Sequence, residues 1–480
     1  MNNEMMLLLT VFVPIAGSFF LPVAGWMSKG LRNILALCCV LTSLLLSFVM
    51  LPQVLAGQVI KIFWSMPLGF NFVLTADCLA VFMAITSSLI GAIIVFYSWG
   101  YISHYENQNE YYFMVVLFLG SMMGIVFSAN LIFLFLFWEI TAIASWRLIG
   151  FFREKDYVLR ADKSFLVTVF GALLMLIGFI MIFQQTGSFD LAAIKESLKT
   201  NPLSDIAVLL ILFGILSKSA TLPLHTWLPD AGVAPSPVTA LLHAAVLVKI
   251  GVYVYARLFI ATFTVSPMWH TIVPVIAATS ALVSAGAALV DTDLKRIIAY
   301  STISQIGFIF LGLSVGNEMG IAGGLLYILM HGVAKGGLFL CAGIVEQNTH
   351  TKDITKLGGL ITTMPVTAVA FLFCAFSVMG IPPFGGFFSK YMVISGAVAA
   401  GDFWIALTFI IGAFLTLIYL LRVFTLVFMG EAKVPEKEGS PVMLASVATL
   451  ALLSIVGGVF INYLTGPVQI TVQQMLGMVK

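Results

Sequence analysis

Long apolar segments follow one another along almost the whole chain, and they constrain its fold more than any other feature. Fourteen of them are long enough to cross a bilayer core about 30 Å thick as helices. They lie near 5–25, 31–53, 78–99, 111–128, 130–152, 162–184, 205–222, 236–261, 271–290, 295–314, 320–346, 363–399, 403–430 and 441–464. We therefore predict an all-α polytopic membrane protein with about 14 transmembrane helices.

The composition excludes several other classes of protein. Of the 480 residues, 61% are hydrophobic and 9% are charged, and the mean hydropathy is +1.09. A soluble domain carries roughly a quarter charged residues, so this chain cannot cover a water-facing surface. It also has no basic face of the kind that a nucleic-acid-binding protein needs. The net charge of +2 says nothing further about partners.

The spans group into four predicted units. Residues 1–110 hold helices 1–3, with an outer-face hairpin at 54–77, where the sequence alternates and contains Pro and Gly. Residues 111–261 (helices 4–8) and 271–430 (helices 9–13) form two five-helix units, and 441–480 hold a final helix and a short tail.

The orientation follows from Lys and Arg in the loops, which favour the cytoplasmic side. With the N-terminus outside, the inner loops hold Lys29, Arg32, Arg153, Lys155, Arg160, Lys295, Arg296, Lys352, Lys356, Lys433 and Lys437, and the outer side holds Lys61, Lys195, Lys199, Arg257 and Lys480. This imbalance predicts that both termini lie on the outer face of the membrane.

Two spans are interrupted by proline and glycine. They read SKSATLPLHTWLPD (217–230) and SVMGIPPFGGFFSKY (377–391), and Lys218 and Lys390 lie beside the breaks. Such backbone is tolerated at membrane depth only where it faces protein or water. Paired breaks in helices 7 and 12 predict two inverted five-helix repeats with ion sites at the breaks.

Basic residues inside the spans are the strongest functional signal. They are Arg147, Lys163, Lys218, Lys249, Lys335, Lys390 and Arg422. At roughly 3 kcal/mol each on an insertion scale, their summed cost would exceed the net stability of a typical domain, about 5–15 kcal/mol. We therefore expect pairing or internal water around them, and a file of lysines in separate spans suits proton transfer.

Glu139 is the one acidic residue deep in a predicted span, in LFLFWEITAIASW. Beside a lysine it could stay charged, and a buried lysine changes its proton affinity readily. A Glu139–Lys218 pair whose separation changes would hold a proton when close and release it when apart. The alternative is a static ion pair that fixes helix packing.

Three histidines are candidate relay residues. His331 lies four residues before Lys335, so the two share a helix face, although a histidine bonded to a backbone carbonyl would be purely structural. His243 lies six residues before Lys249, so a break in the helix would be needed to align them. His225, inside the first broken helix, is a candidate relay residue in the same sense as His243.

Two further basic residues have simpler interpretations. Lys163 is a candidate relay residue, but it equally suits a position near the inner end of its span, where it could snorkel. Arg147 lies eight residues from Glu139, about 12 Å along a helix, too far for direct pairing.

No cofactor or metal site is expected in this chain. Its five cysteines form no C-x-x-C pair, and no Walker or dinucleotide-binding motif is present.

Five stretches resemble a known family. They are FLFWEITAIASWRLIGF (135–151), LSKSATLPLHTWLPDAGVAPSPVTALLHAAVLVKIGVY (216–253), DTDLKRIIAYSTISQIGF (291–308), HGVAKGGLFLCAGIVE (331–346) and GIPPFGGFFSKYMVI (380–394). They are similar to the antiporter-like membrane subunits shared by respiratory complex I, Mrp-type Na+/H+ antiporters and energy-converting membrane-bound hydrogenases. The resemblance covers most of the chain and is weakest in the first hundred residues and after 430.

The resemblance implies roles for six residues: Glu139, Lys218, Lys249, His331, Lys335 and Lys390. The glutamate resembles the essential acid of span five, and the first lysine resembles its partner in span seven. Lys249 looks like the central lysine of span eight. His331 and Lys335 look like relay residues in span eleven, and Lys390 looks like the terminal charge of span twelve. The chain departs from the family at Arg147, where an apolar or aromatic residue is expected.

The function implied is proton translocation by one subunit of a redox-driven, multi-subunit complex, with other antiporter-like and redox subunits as partners. A D-type subunit of an Mrp Na+/H+ antiporter is the alternative within the family, and the sequence leaves open whether Na+ takes part. A solute symporter and a structural scaffold subunit are alternatives of other classes.

Overall fold

The computed structural model describes residues 2–67, 70–431 and 437–478. Lys433 and Lys480, which enter the orientation argument, lie outside the described residues. The helices are α1 (Asn3–Met27), α2 (Lys29–Leu55), α3 (Cys78–Tyr101), α4 (Gln108–Phe127), α5 (Leu131–Ile149), α6 (Lys155–Thr186), α7 (Leu191–Ser197), α8 (Asp205–Lys218), α9 (Trp227–Asp230), α10 (Ser236–Ala240), α11 (Leu247–Tyr255), α12 (Trp269–Val290), α13 (Leu294–Ser314), α14 (Glu318–Thr349), α15 (Pro365–Met379), α16 (Gly385–Ala399), α17 (Phe403–Phe428), α18 (Pro441–Val459) and α19 (Ile461–Met475). Strands β1 (Ile60–Trp64) and β2 (Phe72–Ala76) form the predicted hairpin.

The helical membrane fold is confirmed. Within the described residues, 12 helices are long and apolar enough to cross a membrane. Each matches one of the predicted spans, and the two predicted spans that remain are the interrupted ones. The chain is thus a multi-pass membrane protein.

Both interruptions lie where proline and glycine predict them. The first span ends as a helix at Lys218, continues without regular helix through 219–226 and resumes as α9. The second divides into α15 and α16 around residues 380–384. Gly380, at φ +81°, ends α15 in the left-handed conformation that glycine adopts without strain. The Leu222–Pro223 and Pro382–Pro383 peptide bonds are cis.

The connecting segments sort onto two faces of the helix bundle. On the "hairpin face", β2 pairs through Leu74 with Ser128, and Asn130 pairs with Asp190. On the opposite "loop face", the connections after α12 and α14 pair through Asp293 and Asp353. These contacts hold the helix ends on each face together.

Span eight (236–261) is not one continuous α-helix, although the spacing of its histidine and lysine was interpreted as if it were. A π-helical turn occupies Leu241–Ala245 and a second one occupies Ala256–Ile260. Between the first turn and α11, Val246 has φ −129° and ψ −75°. Because a π turn inserts an extra residue, the six-residue spacing of His243 and Lys249 no longer fixes their relative directions.

The C-terminal segment also differs from the prediction. The span predicted at 441–464 ends as α18 at Val459, and the residues predicted as a short tail form α19. Gln474 of α19 donates a hydrogen bond to the carbonyl of Val54 at 2.9 Å, so this helix packs at the hairpin face.

Arg147 lies at the loop-face end of α5. It forms an ion pair with Glu110, which Arg153 also contacts at 2.7 Å. This clamp joins α4, α5 and the loop that follows α5. It explains how a charged residue is accommodated where the family resemblance implies an apolar one.

Candidate functional site

Four lysines lie inside the bundle, on four different helices. Lys218, Lys249 and Lys335 are fully buried, and Lys390 is 4% exposed. They belong to α8, α11, α14 and α16, respectively. None faces the lipid, so each ammonium group must be stabilised by groups of the protein or by water.

Glu139 and Lys218 are neighbours but are not ion-paired. The Lys218 Nζ donates to the carbonyl of Trp138 at 3.2 Å and lies 5.2 Å from the centre of the indole ring. The Glu139 Oε1 is buried without a hydrogen-bond partner. No ion pair within 4.0 Å joins the two side chains, both of which the structure describes. In this structure Lys218 is thus held by a backbone carbonyl and an aromatic ring, with Glu139 nearby but not bonded to it.

Lys249 contacts His331 directly. Its Nζ lies 2.6 Å from the His331 Nδ1, and both side chains are fully buried. The other ring nitrogen of His331, Nε2, is buried without a partner. An imidazole that accepts a proton at one nitrogen can release one from the other, so this contact suits a relay.

Lys335 lies one turn further along α14 and points to different partners. Its Nζ donates to the Ser301 hydroxyl at 2.5 Å and to the Ile298 carbonyl at 3.1 Å, both on α13. His331 and Lys335 therefore share a helix face, as predicted, while each contacts a different neighbouring helix.

Lys390 reaches back across the second break. Its Nζ donates to the carbonyl of Val378, in the last turn of α15, at 2.7 Å. It also lies 4.5 Å from the ring centre of Phe308 and 5.7 Å from that of Tyr327. The negative end of the α15 dipole and the aromatic faces all favour a positive charge there.

A hydrogen-bonded chain beside Lys390 was not predicted from the sequence. The Tyr327 hydroxyl donates to the Gln305 Oε1 at 2.6 Å, and the Gln305 Nε2 donates to the Thr416 hydroxyl at 3.1 Å. The Tyr327 ring also packs edge-on against His331, with ring centres 5.8 Å apart. The one sequence signal was Gln305, an amide in the middle of an apolar span.

His243 is fully buried, and neither of its ring nitrogens has a hydrogen-bond partner. Its ring packs on Phe339 of α14, with centres 4.4 Å apart. His225 is partly buried in the linker at 219–226, and its Nδ1 also lacks a partner. His243 thus lies between span eight, which carries Lys249, and α14, which carries Lys335.

Lys163 does not join the buried lysines. Its side chain is 42% exposed and forms an ion pair with Asp230 at 2.7 Å. Arg296 contacts the same carboxylate at 2.9 Å. Lys163 thus lies at the loop face, in agreement with the snorkelling interpretation.

An ion pair closes the hairpin-face end of the site. Arg257 donates to both carboxylate oxygens of Asp77, at 2.5 and 2.7 Å. Asp77 also accepts from the backbone N–H of Ala80 as the N-cap of α3. Burial alone would raise the pKa of Asp77, but the Arg257 charge and these hydrogen bonds outweigh it and lower that pKa.

Within the described residues, no group of three His, Cys, Asp or Glu side chains is placed to hold a metal ion. The five cysteines there are unpaired.

Solved structures share this fold over almost the whole chain. One chain of the Mrp complex from Dietzia sp. DQ12-45-1b superposes with a TM-score of 0.90 at 22% identity, covering 99% of this chain and 98% of that one. One chain of the membrane-bound sulfane sulfur reductase, an archaeal respiratory membrane complex, superposes with a TM-score of 0.90 at 25% identity and covers 98% of both chains.

Sequence relatives point in the same direction. The chain is 36% identical to Na(+)/H(+) antiporter subunit A1 of Staphylococcus haemolyticus and of Staphylococcus saprophyticus, over 96% and 84% of its length. It spans only 60% and 54% of those longer proteins. The family described as "NADH:quinone oxidoreductase/Mrp antiporter, TM" matches residues 128–416, more than half of the chain. The chain belongs to this family of antiporter-like membrane subunits.

Proposed function

We propose that the chain translocates protons through the membrane along its buried lysines. The observation that carries this proposal is the 2.6 Å contact between the Lys249 Nζ and the His331 Nδ1, both fully buried. A static structural role would leave an ammonium group and an imidazole in contact without any carboxylate to balance them, which is costly in a membrane interior. Proton transfer between the two groups would explain why they are held in contact.

The proposed order runs from Lys218 through Lys249 and His331 to Lys335 and Lys390. His331 receives a proton at Nδ1 and releases one from Nε2. The Tyr327–Gln305–Thr416 chain lies between His331 and Lys390 and offers hydroxyl and amide groups that can orient water along this part. His243 and His225 remain candidate relays toward the faces.

Glu139 controls the first lysine in this scheme. When its carboxylate approaches the Lys218 ammonium, their attraction holds the proton, and when they separate, the proton moves on. The separated geometry, with Lys218 bonded to the carbonyl of Trp138, corresponds to the releasing state.

We also propose that the chain works inside a hetero-oligomeric complex in a prokaryotic cytoplasmic membrane, with both termini on the outer face. The loop face then corresponds to the cytoplasm, as the Lys and Arg count favours. Iron–sulfur, nickel–iron or quinone sites, where the complex has any, belong to its other subunits.

Two driving reactions fit this subunit. The names of the Staphylococcus relatives favour Na+/H+ exchange, whereas the 25% identical chain from an archaeal respiratory complex favours coupling to electron transfer. Proteoliposomes with the purified complex separate the two. A Na+ gradient alone drives proton movement in the first case, and only an electron donor with its acceptor does so in the second.

The proposed function is tested by Lys249→Ala in the reconstituted complex. Removing the central ammonium should abolish proton translocation while the complex still assembles. Lys163→Ala is the matched control, because this lysine is exposed and ion-paired with Asp230, so its loss should leave at least half of the rate. Full translocation by Lys249→Ala would reject the proposal. Failure of Lys249→Ala, but not of Lys163→Ala, to assemble would support the scaffold alternative.

A further inference from the structure

A polar cavity of about 660 Å³ opens at the loop face, between α3, α14 and the start of α18. Tyr101, Lys295, Glu346 and Asn348 are among its lining residues. The Asn348 Nδ2 is buried and lacks a hydrogen-bond partner. A second cavity of about 550 Å³ adjoins it and shares Glu346. Water therefore has room to reach Glu346 from this face.

An ion pair forms the floor of the cavity. The buried Lys295 Nζ donates to the Glu346 Oε2 at 2.8 Å and to the Ala234 carbonyl at 2.8 Å. The hydroxyl of Ser236, the first residue of α10, donates to the same carboxylate oxygen at 3.2 Å. Glu346 is 28% exposed on its side chain, so it joins the cavity to the bundle interior.

A seam between span eight and α14 leads inward from this floor. Next to Ser236, a side chain added at Gly343 would come within 2.5 Å of the Ser236 Cβ and 2.9 Å of the Tyr97 hydroxyl, so the backbones approach closely there. Further in, His243 packs on Phe339. Deeper again, Lys249 contacts His331. The same two elements thus face each other from the cavity to the central lysine.

His243 is the group on this seam whose hydrogen-bonding capacity is unused. It is fully buried, and both ring nitrogens lack partners. A buried polar group without partners is costly, so its place between the Glu346 carboxylate and Lys249 calls for a ligand. A file of water molecules at this position would satisfy the ring nitrogens and provide a route for protons.

We propose that this cavity and seam form the path by which protons pass between the loop face and Lys249, with the Glu346 carboxylate as the group that exchanges protons with water at the mouth. The inference rests on the proposed function and adds the port, the site at which protons are exchanged with water at the loop face. A proton from cavity water binds the Glu346 carboxylate and loosens its contact with Lys295. The proton then moves along the seam by way of His243. Lys295 is a positioning residue that returns the carboxylate to its place.

The test compares Glu346→Gln with Glu110→Gln in the reconstituted complex. Both carboxylates are ion-paired near the loop face, with side chains 28% and 29% exposed, but Glu110 does not line the cavities. Proton transfer by a positioned group typically contributes about 100-fold or more, and water can replace part of it at a port, so Glu346→Gln should lower the translocation rate about tenfold. Glu346→Asp should restore most of it, and Glu110→Gln should keep the wild-type rate.

The results of Glu346→Gln and Lys249→Ala together distinguish a failure of the proposed port from a failure of the proposed function. Wild-type translocation by Glu346→Gln, together with loss in Lys249→Ala, overturns the port and leaves the function standing. Wild-type rates in both variants overturn the function.

If Glu346→Gln fails to assemble, a cysteine at Asn348 decides the matter. A membrane-impermeant thiol reagent applied from the loop face should block Asn348→Cys and spare both the wild type and Ser28→Cys, an exposed position near the same face. An unchanged rate after modification of Asn348→Cys overturns the proposal.

Discussion

The two breaks in the helix bundle hold their lysines in different ways. At the first, Lys218 ends its own half-helix and lies near Glu139, the one carboxylate deep among the described spans. At the second, Lys390 belongs to the half-helix after the break and reaches back to the carbonyl of Val378. The first region thus has an acid beside its lysine, and the second has carbonyl groups and aromatic rings.

This difference assigns the two regions different tasks. A carboxylate can hold or release a neighbouring ammonium group by moving a short distance, because the attraction between unit charges is strong where water is scarce. Carbonyl groups and aromatic rings change their interaction much less. We therefore propose that the first region is the control point of proton movement and that the second region is part of the path.

Removing the control point should have the largest effect. Glu139→Gln keeps the size of the side chain but removes its charge, so Lys218 loses the group that regulates it. We expect translocation to fall about 100-fold, the scale typical of a positioned proton-transfer group. Rates in proteoliposomes measure this, with Glu106→Gln, an exposed loop-face carboxylate that does not line either cavity, as the control. Translocation at the wild-type rate in Glu139→Gln would contradict the control role of the first region.

Perturbing the path should have a smaller effect. Tyr327→Phe removes the hydroxyl that donates to Gln305 and leaves the aromatic face toward Lys390. Since water can replace one hydroxyl, we expect about a tenfold loss, again below the range for direct proton transfer. The comparison is Tyr255→Phe, a buried tyrosine that packs on Phe259 and Phe310 instead. Equal rates in the two variants would remove Tyr327 from the path.

The smallest effect on translocation, but a clear one on stability, is expected at the hairpin face. Asp77→Asn leaves Arg257 without its counter-charge, so the free energy of unfolding should fall by about 3 kcal/mol near pH 7, as for other broken buried pairs. Thermal unfolding of the purified complex measures it. Asp402→Asn is the control, because Asp402 also precedes a helix but makes no capping hydrogen bond.

The pH dependence of that difference has a defined sign. The pKa of Asp77 is lowered in the folded protein, so its stabilisation is present above the ordinary aspartate value near 3.8 and is lost as pH falls through the folded value. The wild type and Asp77→Asn should therefore converge toward low pH. A difference that grows on acidification would contradict the role of this ion pair.

Much of the fold could be predicted from the sequence because lipid and proline impose strong rules. The length of apolar segments sets the spans, and proline with glycine sets both breaks. The cost of charge in a membrane interior also predicted that Lys218, Lys249, Lys335 and Lys390 are enclosed by protein, and the structure buries all four. For Lys163 the same rule left two interpretations open, and its exposure and its ion pair with Asp230 agree with the snorkelling one.

The contacts between these residues could not be predicted. The pairing of Lys249 with His331 depends on how span eight packs on α14, and the π turn at Leu241–Ala245 changes its register. Tyr327 and Thr416 are ordinary packing residues in any single span. Only the packing of three helices turns them, with Gln305, into a hydrogen-bonded chain.

The central claim is that the buried ammonium groups are linked by a path for protons, and the least connected step lies between Lys218 and Lys249. Among the described residues, no side-chain hydrogen bond joins these two lysines. A structure of the whole assembly, at a resolution that shows ordered water, tests this step most directly. The account predicts a file of water molecules between the two ammonium groups in at least one state of the complex. Apolar side chains packed without water between them in every state would contradict it.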